Sequence, residues 1–94
     1  MLIEIGKEHG CSAARVALAW LLHQPGVTSV IIGGRTKEQF ADNLASADLA
    51  LGADELSRLD KVSRPDLLYP FWHQAWSASD RMSAADLSLA AKYL

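Results

Sequence analysis

The chain has 94 residues, 50% hydrophobic and 21% charged, which suits one small globular domain and excludes a disordered chain. A formal net charge of −2, from 9 Lys and Arg against 11 Asp and Glu, removes the electrostatic case for nucleic acid, and no apolar run approaches membrane-spanning length. Cys11 is the single cysteine, so an intrachain disulfide is excluded and a reducing, cytoplasmic setting is the expectation.

In chain order, Leu2, Ile3 and Ile5 begin a helical segment that ends at Gly10, because glycine accepts the left-handed conformation that follows a helix. Ser12 is placed to cap a second helix over roughly residues 13–23. That helix reads VALAWLL through residues 16–22 and has almost no polar face, so it is expected to pack on more than one side. Pro25-Gly26 then turns the chain into VTSVII, residues 27–32. An apolar run of this length, closed by Gly33-Gly34, reads as a short, fully buried parallel strand.

Thr36 and Gln39 form a capping box at the start of the next helix, about residues 36–47. Phe40, Leu44 and Ala47 fall on one stripe, with Ala41 and Ala45 beside it; Lys37, Glu38 and Asp42 face away. Leu49 and Leu51 lead into Gly52 and a further amphipathic helix, ADELSRLDKV. It turns Leu56, Leu59 and Val62 inward and sets Asp54 and Glu55 at its positive dipole end. Ser63-Arg64-Pro65 stops it, which makes residues 1–64 one region. Residues 65–94 form a second. There a loop or tail holding Tyr69-Pro70-Phe71-Trp72 and Trp76 is expected to fold back over a neighbouring surface. Ser83 with Asp86 starts a last helix carrying Leu87, Ala90, Ala91 and Leu94.

The stretch between strand and helix offers the clearest chemistry. Two glycines, the cation of Arg35 and the open N–H groups of a helix start converge there, an arrangement suited to phosphate. The same residues also serve as plain punctuation between elements, and GGRT lacks the spacing of a glycine-rich dinucleotide fingerprint. No catalytic arrangement stands out. His9, His23 and His73 have no metal-ligand spacing, and each is expected at a helix end or in solvent. One strand alone leaves its backbone groups unpaired on both edges. Three accounts stay open: the chain is a piece of a larger sheet-containing domain, copies of it associate, or residues 27–32 are helical or irregular.

Beyond this, the patterns GCSAARVALAWLL over residues 10–22, PGVTSVIIGGRT over residues 25–36, EQFADNL over residues 38–44 and LGADELSRLD over residues 51–60 resemble the aldo-keto reductases. With the YPFW motif, the resemblance covers about two thirds of the chain without a gap. It implies an α/β fold, the C-terminal segment of a (β/α)8 TIM barrel: helix 7, strand 8, helix 8, an extra helix and a tail, predominantly helical on its own. A whole barrel runs to roughly 250 residues. The resemblance implies the terminal barrel units with a partial nucleotide site in residues 1–64 and the C-terminal tail and helix in residues 65–94.

The cofactor implied is NADP, with NAD not excluded, and the part present is the adenosine-phosphate half of its site. By position in the family pattern, Gly33, Gly34, Arg35 and Thr36 line the phosphates. Gln39 and Asn43 reach the adenine side, and Asp42 stands where many members have Glu. Some members have Lys-Ser after the strand and Arg at the place of Gln39, so Arg35 is left as the nearest cation. The family's catalytic Tyr, Lys, Asp and His belong to motifs that are not in this sequence. The expected function is therefore the C-terminal part of an NADP-dependent aldo-keto reductase without catalytic residues of its own, inactive alone and partnered by the N-terminal remainder of the barrel or by self-association. The alternative is a non-catalytic nucleotide-sensing or protein-interaction module that oligomerises.

Overall fold

Every helix in the first 64 residues meets a specific answer to the open backbone groups at one or both of its ends. The computed structural model describes residues 1–77, 79–91 and 93. Helix α1 (Leu2–His9) closes at Gly10, whose φ of 65° lets the N–H of Cys11 return to the Gly6 carbonyl at 2.8 Å. Gly6 is needed beneath that return, because a Cβ there would lie 2.7 Å from the Cys11 carbonyl oxygen. Helix α2 (Ala13–Leu22) starts at Ser12, whose hydroxyl accepts the Arg15 N–H at 3.0 Å. At its far end His23 Nδ1 bonds the Ala19 carbonyl at 2.7 Å and Gln24 Nε2 donates to the Trp20 carbonyl at 3.2 Å, so side chains satisfy the last turn. Pro25 and Gly26, the latter with φ 83°, then reverse the chain.

Helix α3 (Lys37–Leu44) runs into a 3₁₀ turn (Ala45–Asp48) that packs on α2 and buries Ser46; helix α4 (Ala53–Ser63) follows Gly52. The core gathers Ile5 from α1, Val16 and Ala19 from α2, Leu51, and Leu59 from α4. Cys11, Trp20, Leu49 and Leu56 are packed against it. Glu55 ties two of these elements together. It accepts the Gly52 N–H at 2.8 Å, closing the N-terminus of α4, and pairs with His9 Nε2 at 2.6 Å at the end of α1.

Residues 27–34 do not form the expected strand. They carry no regular secondary structure, no strand occurs among the described residues, and Ile31 is 100% exposed. The reason is physical: a strand must pair its N–H and C=O groups with a neighbour's, whereas the helices around it have already satisfied theirs internally. The segment keeps the composition of a buried strand without an edge to pair with.

Two smaller expectations also fail. Phe40 and Leu44 of α3 and Val62 of α4 were to face inward, yet all three are exposed, and α3 buries no residue at all. Val62 borders an open cavity with Met1, Leu2, Ala17, Trp20 and Leu21 instead of packing closely on them. The helix also stops at Leu44 instead of residue 47, where the 3₁₀ turn takes over.

The chain divides into two compact units, Met1–Arg64 and Pro65–Leu94. In the second, helix α5 (Phe71–Ser77) occupies part of the expected loop, with Pro70 just ahead of it and the Gln74 N–H bonded to the Pro70 carbonyl at 2.9 Å. A 3₁₀ turn (Ser79–Arg81) follows. Helix α6 (Ala84–Ala90) then starts at Ser83 in a capping box with Asp86, as the spacing implied. The rings of Tyr69, Trp72 and His73 contact one another at centroid distances of 5.7 to 6.2 Å, while Trp76 is exposed. Leu94, expected on the apolar side of the last helix, lies outside the described residues.

Candidate functional site

The residues singled out between positions 33 and 43 come together at the start of α3. Thr36 is the N-cap, and its Oγ1 accepts the Gln39 N–H at 3.2 Å. The reciprocal bond differs from the expected capping box: Gln39 Oε1 accepts from the N–H of Arg35 at 3.0 Å, one residue before the cap. One helical turn on, Asn43 Nδ2 donates to the Gly33 carbonyl at 2.8 Å. Two side chains of α3 thus hold the loop of residues 33–36 by its main chain, fixing it without using any side chain of the loop other than Thr36.

The glycines are not equivalent. A Cβ on Gly34 would sit 3.0 Å from the Phe40 amide nitrogen, so any larger residue would push the loop a few tenths of an ångström off α3. A Cβ on Gly33 would meet nothing within 4 Å. The space there is open.

Several polar groups around the start of α3 have no partner among the described residues. The N–H groups of Lys37 and Glu38, in the first turn of α3, have no acceptor among the described residues, and the Arg35 guanidinium has no hydrogen bond or ion pair there either. Gln39 Nε2 and Asn43 Oδ1 also have no partner among the described residues, because each amide uses only its other atom there. Unsatisfied amides at a positive helix end, an unpaired cation and a glycine without neighbours fit a phosphate-bearing ligand. Alongside, a shallow groove of about 370 Å³ is lined by Ala14, Ala17, Leu18, Ile31, Ile32, Gly33 and Asn43.

Asp42 behaves differently from its neighbours. Its Oδ1 accepts from Arg15 Nε at 2.9 Å and from the same guanidinium's terminal nitrogen at 2.5 Å, while Oδ2 accepts from the Ser12 hydroxyl. Hydrogen bonds from Ser12, and then from Arg15, hold the carboxyl below its ordinary pKa. Ser12 was legible in the sequence as a helix cap. Its second bond, and the part played by Arg15, were not, because Asp42 lies 27 residues from Arg15 and no local pattern links them.

No cluster of three His, Cys, Asp or Glu side chains suited to a metal occurs among the described residues. Nor is any helix among them long and apolar enough to cross a membrane. Tyr93 donates its hydroxyl to the Pro65 carbonyl at 2.8 Å, within the second unit.

Comparison with known proteins adds an independent finding. The model of the aldo/keto reductase family matches residues 1–64. Norsolorinic acid reductase stcV of Emericella nidulans is 35% identical over 69 residues, 73% of this chain and 18% of that protein. Protein tas of Escherichia coli is 35% identical over 60 residues, 64% of this chain and 17% of that protein. The L-glyceraldehyde 3-phosphate reductase of Escherichia coli is 39% identical over 62 residues, 65% and 18% respectively. The chain therefore spans under a fifth of the length of the curated relatives it matches.

Proposed function

Because the chain belongs to the aldo/keto reductase family, we propose that it supplies the C-terminal end of a (β/α)8 barrel and carries there the adenosine-phosphate half of an NADP site. The enzyme it contributes to is an oxidoreductase of carbonyls and alcohols, acting in the cytoplasm. In this reading residues 27–32 become the eighth strand once a neighbouring strand is available, α2 and α3 are the seventh and eighth helices, α4 is the extra helix, and residues 65–94 are the tail.

One observation carries the reading. Within the stretch matched to the family, the loop of residues 33–36 is held in place by its own helix, yet the groups suited to phosphate have no partners among the described residues. The amides of Lys37 and Glu38 and the Arg35 side chain would hold the phosphates. Thr36 would shape the loop through its cap, and Gly33 and Gly34 would let the ligand approach the main chain. Gln39 Nε2 and Asn43 Oδ1, a free donor beside a free acceptor, match the acceptor and donor that adenine presents along one edge. When bound, NADPH supplies the hydride for carbonyl reduction. None of this chain's residues is assigned to proton transfer.

A reductase assay tests the proposal. The chain alone should not oxidise NADPH in the presence of a carbonyl substrate. Turnover should appear when a polypeptide carrying the first seven strands of an aldo-keto reductase is added. Turnover by the 94-residue chain alone would overturn it.

The exposed Val27, Ile31, Leu44 and Val62 of the first unit favour a second reading, a non-catalytic nucleotide-sensing or interaction module that buries these side chains by oligomerising. A stable oligomer that binds NADPH and gains no activity from added barrel polypeptide would select it.

A further inference from the structure

α3 is a helix of eight residues that buries none of them. A helix that short is not stable by itself in water, so its place beside α2 depends on the 3₁₀ turn that continues it and on polar ties from its own side chains. Its side chains divide by direction. Gln39 and Asn43 hold the loop through the Arg35 N–H and the Gly33 carbonyl. Asp42 is bonded instead to Ser12 and Arg15 at the start of α2, an element anchored in the core by the fully buried Val16 and Ala19.

We infer that Asp42 is a positioning residue and not a nucleotide contact: the clamp of Ser12 and Arg15 on its carboxylate joins α3 to the packed helix α2 and thereby sets the loop of residues 33–36. The order of connection is α2, Asp42, α3, Gln39 with Asn43, then the loop. Ser12 has a double part, since one hydroxyl caps α2 and donates to Asp42. The ligand half of this inference rests on the reading of residues 33–43 as the cofactor site; the clamp itself does not.

A double-mutant cycle over Asp42→Asn and Arg15→Lys separates positioning from contact, with two readouts. The first needs no ligand. Amide hydrogen exchange at Arg35 and Gln39 should rise roughly three- to tenfold in each single variant, and the double variant should exceed neither, because both changes break one link. The amides of Val16 and Ala19 report whether the core stays folded. The second readout is NADP⁺ binding, which both single variants should weaken by a similar factor. Unchanged exchange at Arg35 with an intact core overturns the clamp, as does binding lost in Asp42→Asn but kept in Arg15→Lys, the pattern of a direct contact. Increased exchange in the variants, with no NADP⁺ binding by the unmodified chain, upholds the clamp and removes the nucleotide reading instead.

Discussion

Ile5 and Ile31 carry the same side chain in the same 64-residue unit, yet the first is 0% exposed and the second 100%. Ile5 belongs to a helix whose backbone bonds close within the helix, so its side chain is free to pack on Val16 and Ala19 wherever those faces meet. Ile31 belongs to a segment with no regular secondary structure, whose side chains are at most partly buried. Apolar sequence alone does not decide burial. Whether the backbone can satisfy itself decides it first.

The largest effect expected from this contrast is at the packed end. Ile5→Ala should cost about 2–4 kcal/mol through lost burial and a residual cavity, read as a lower urea midpoint. Gly6→Ala comes next, at about 1–3 kcal/mol, because the new Cβ meets the Cys11 carbonyl at 2.7 Å and the backbone has to shift. Thr36→Ala removes the cap of α3 and should cost about 1 kcal/mol, with the loss concentrated in amide exchange of residues 35–40.

Acid provides a milder probe of the ties between elements. The carboxyls of Asp42 and Glu55 are held below their ordinary pKa values, Asp42 chiefly by the Ser12 hydroxyl and Glu55 chiefly by the Gly52 N–H. A depressed folded-state value means that their stabilisation is complete above the ordinary carboxylate range, about pH 4 to 4.5, and is lost as the pH falls below it. Glu55→Gln should flatten part of that acid-side slope while leaving the α1–α2 packing intact; an unaltered slope would remove Glu55 from the account. The smallest effect is at the other end of the comparison. Ile31→Ala should leave the stability of this chain within about 0.5 kcal/mol, and a large loss would show that the segment is buried in solution.

The helix limits were legible because their signals are local. Gly10, Ser12, Thr36 and Ser83 each mark an end through a bond that spans three to five residues, and the structure makes the corresponding bonds. The inward faces were legible in part: Leu59 of α4 is buried and Leu56 packs against the core, whereas Phe40, Leu44 and Val62 have the right period yet stand exposed. Helix α5 escaped notice because Phe71, Trp72, Ala75 and Trp76 repeat at helical spacing over only two turns, and the segment after Pro65 read as a loop or tail. In the candidate site, the Thr36 cap and the grouping of Gly33, Gly34, Arg35, Gln39 and Asn43 could be read from short spacings. The engagement of Asp42 could not, because it depends on α2 and α3 meeting across 27 residues of chain.

We propose that the start of α3 is a partly organised nucleotide site that follows a segment of strand-like composition, irregular in this structure. NADP⁺ titration of the chain followed through its backbone amides tests it directly. The account predicts weak, saturable shifts confined to residues 33–43, strongest at Lys37 and Glu38, with NADP⁺ favoured over NAD⁺ and that preference reduced by Arg35→Ala. Absence of shifts in residues 33–43 at saturating NADP⁺, or shifts centred elsewhere in the chain, would contradict it.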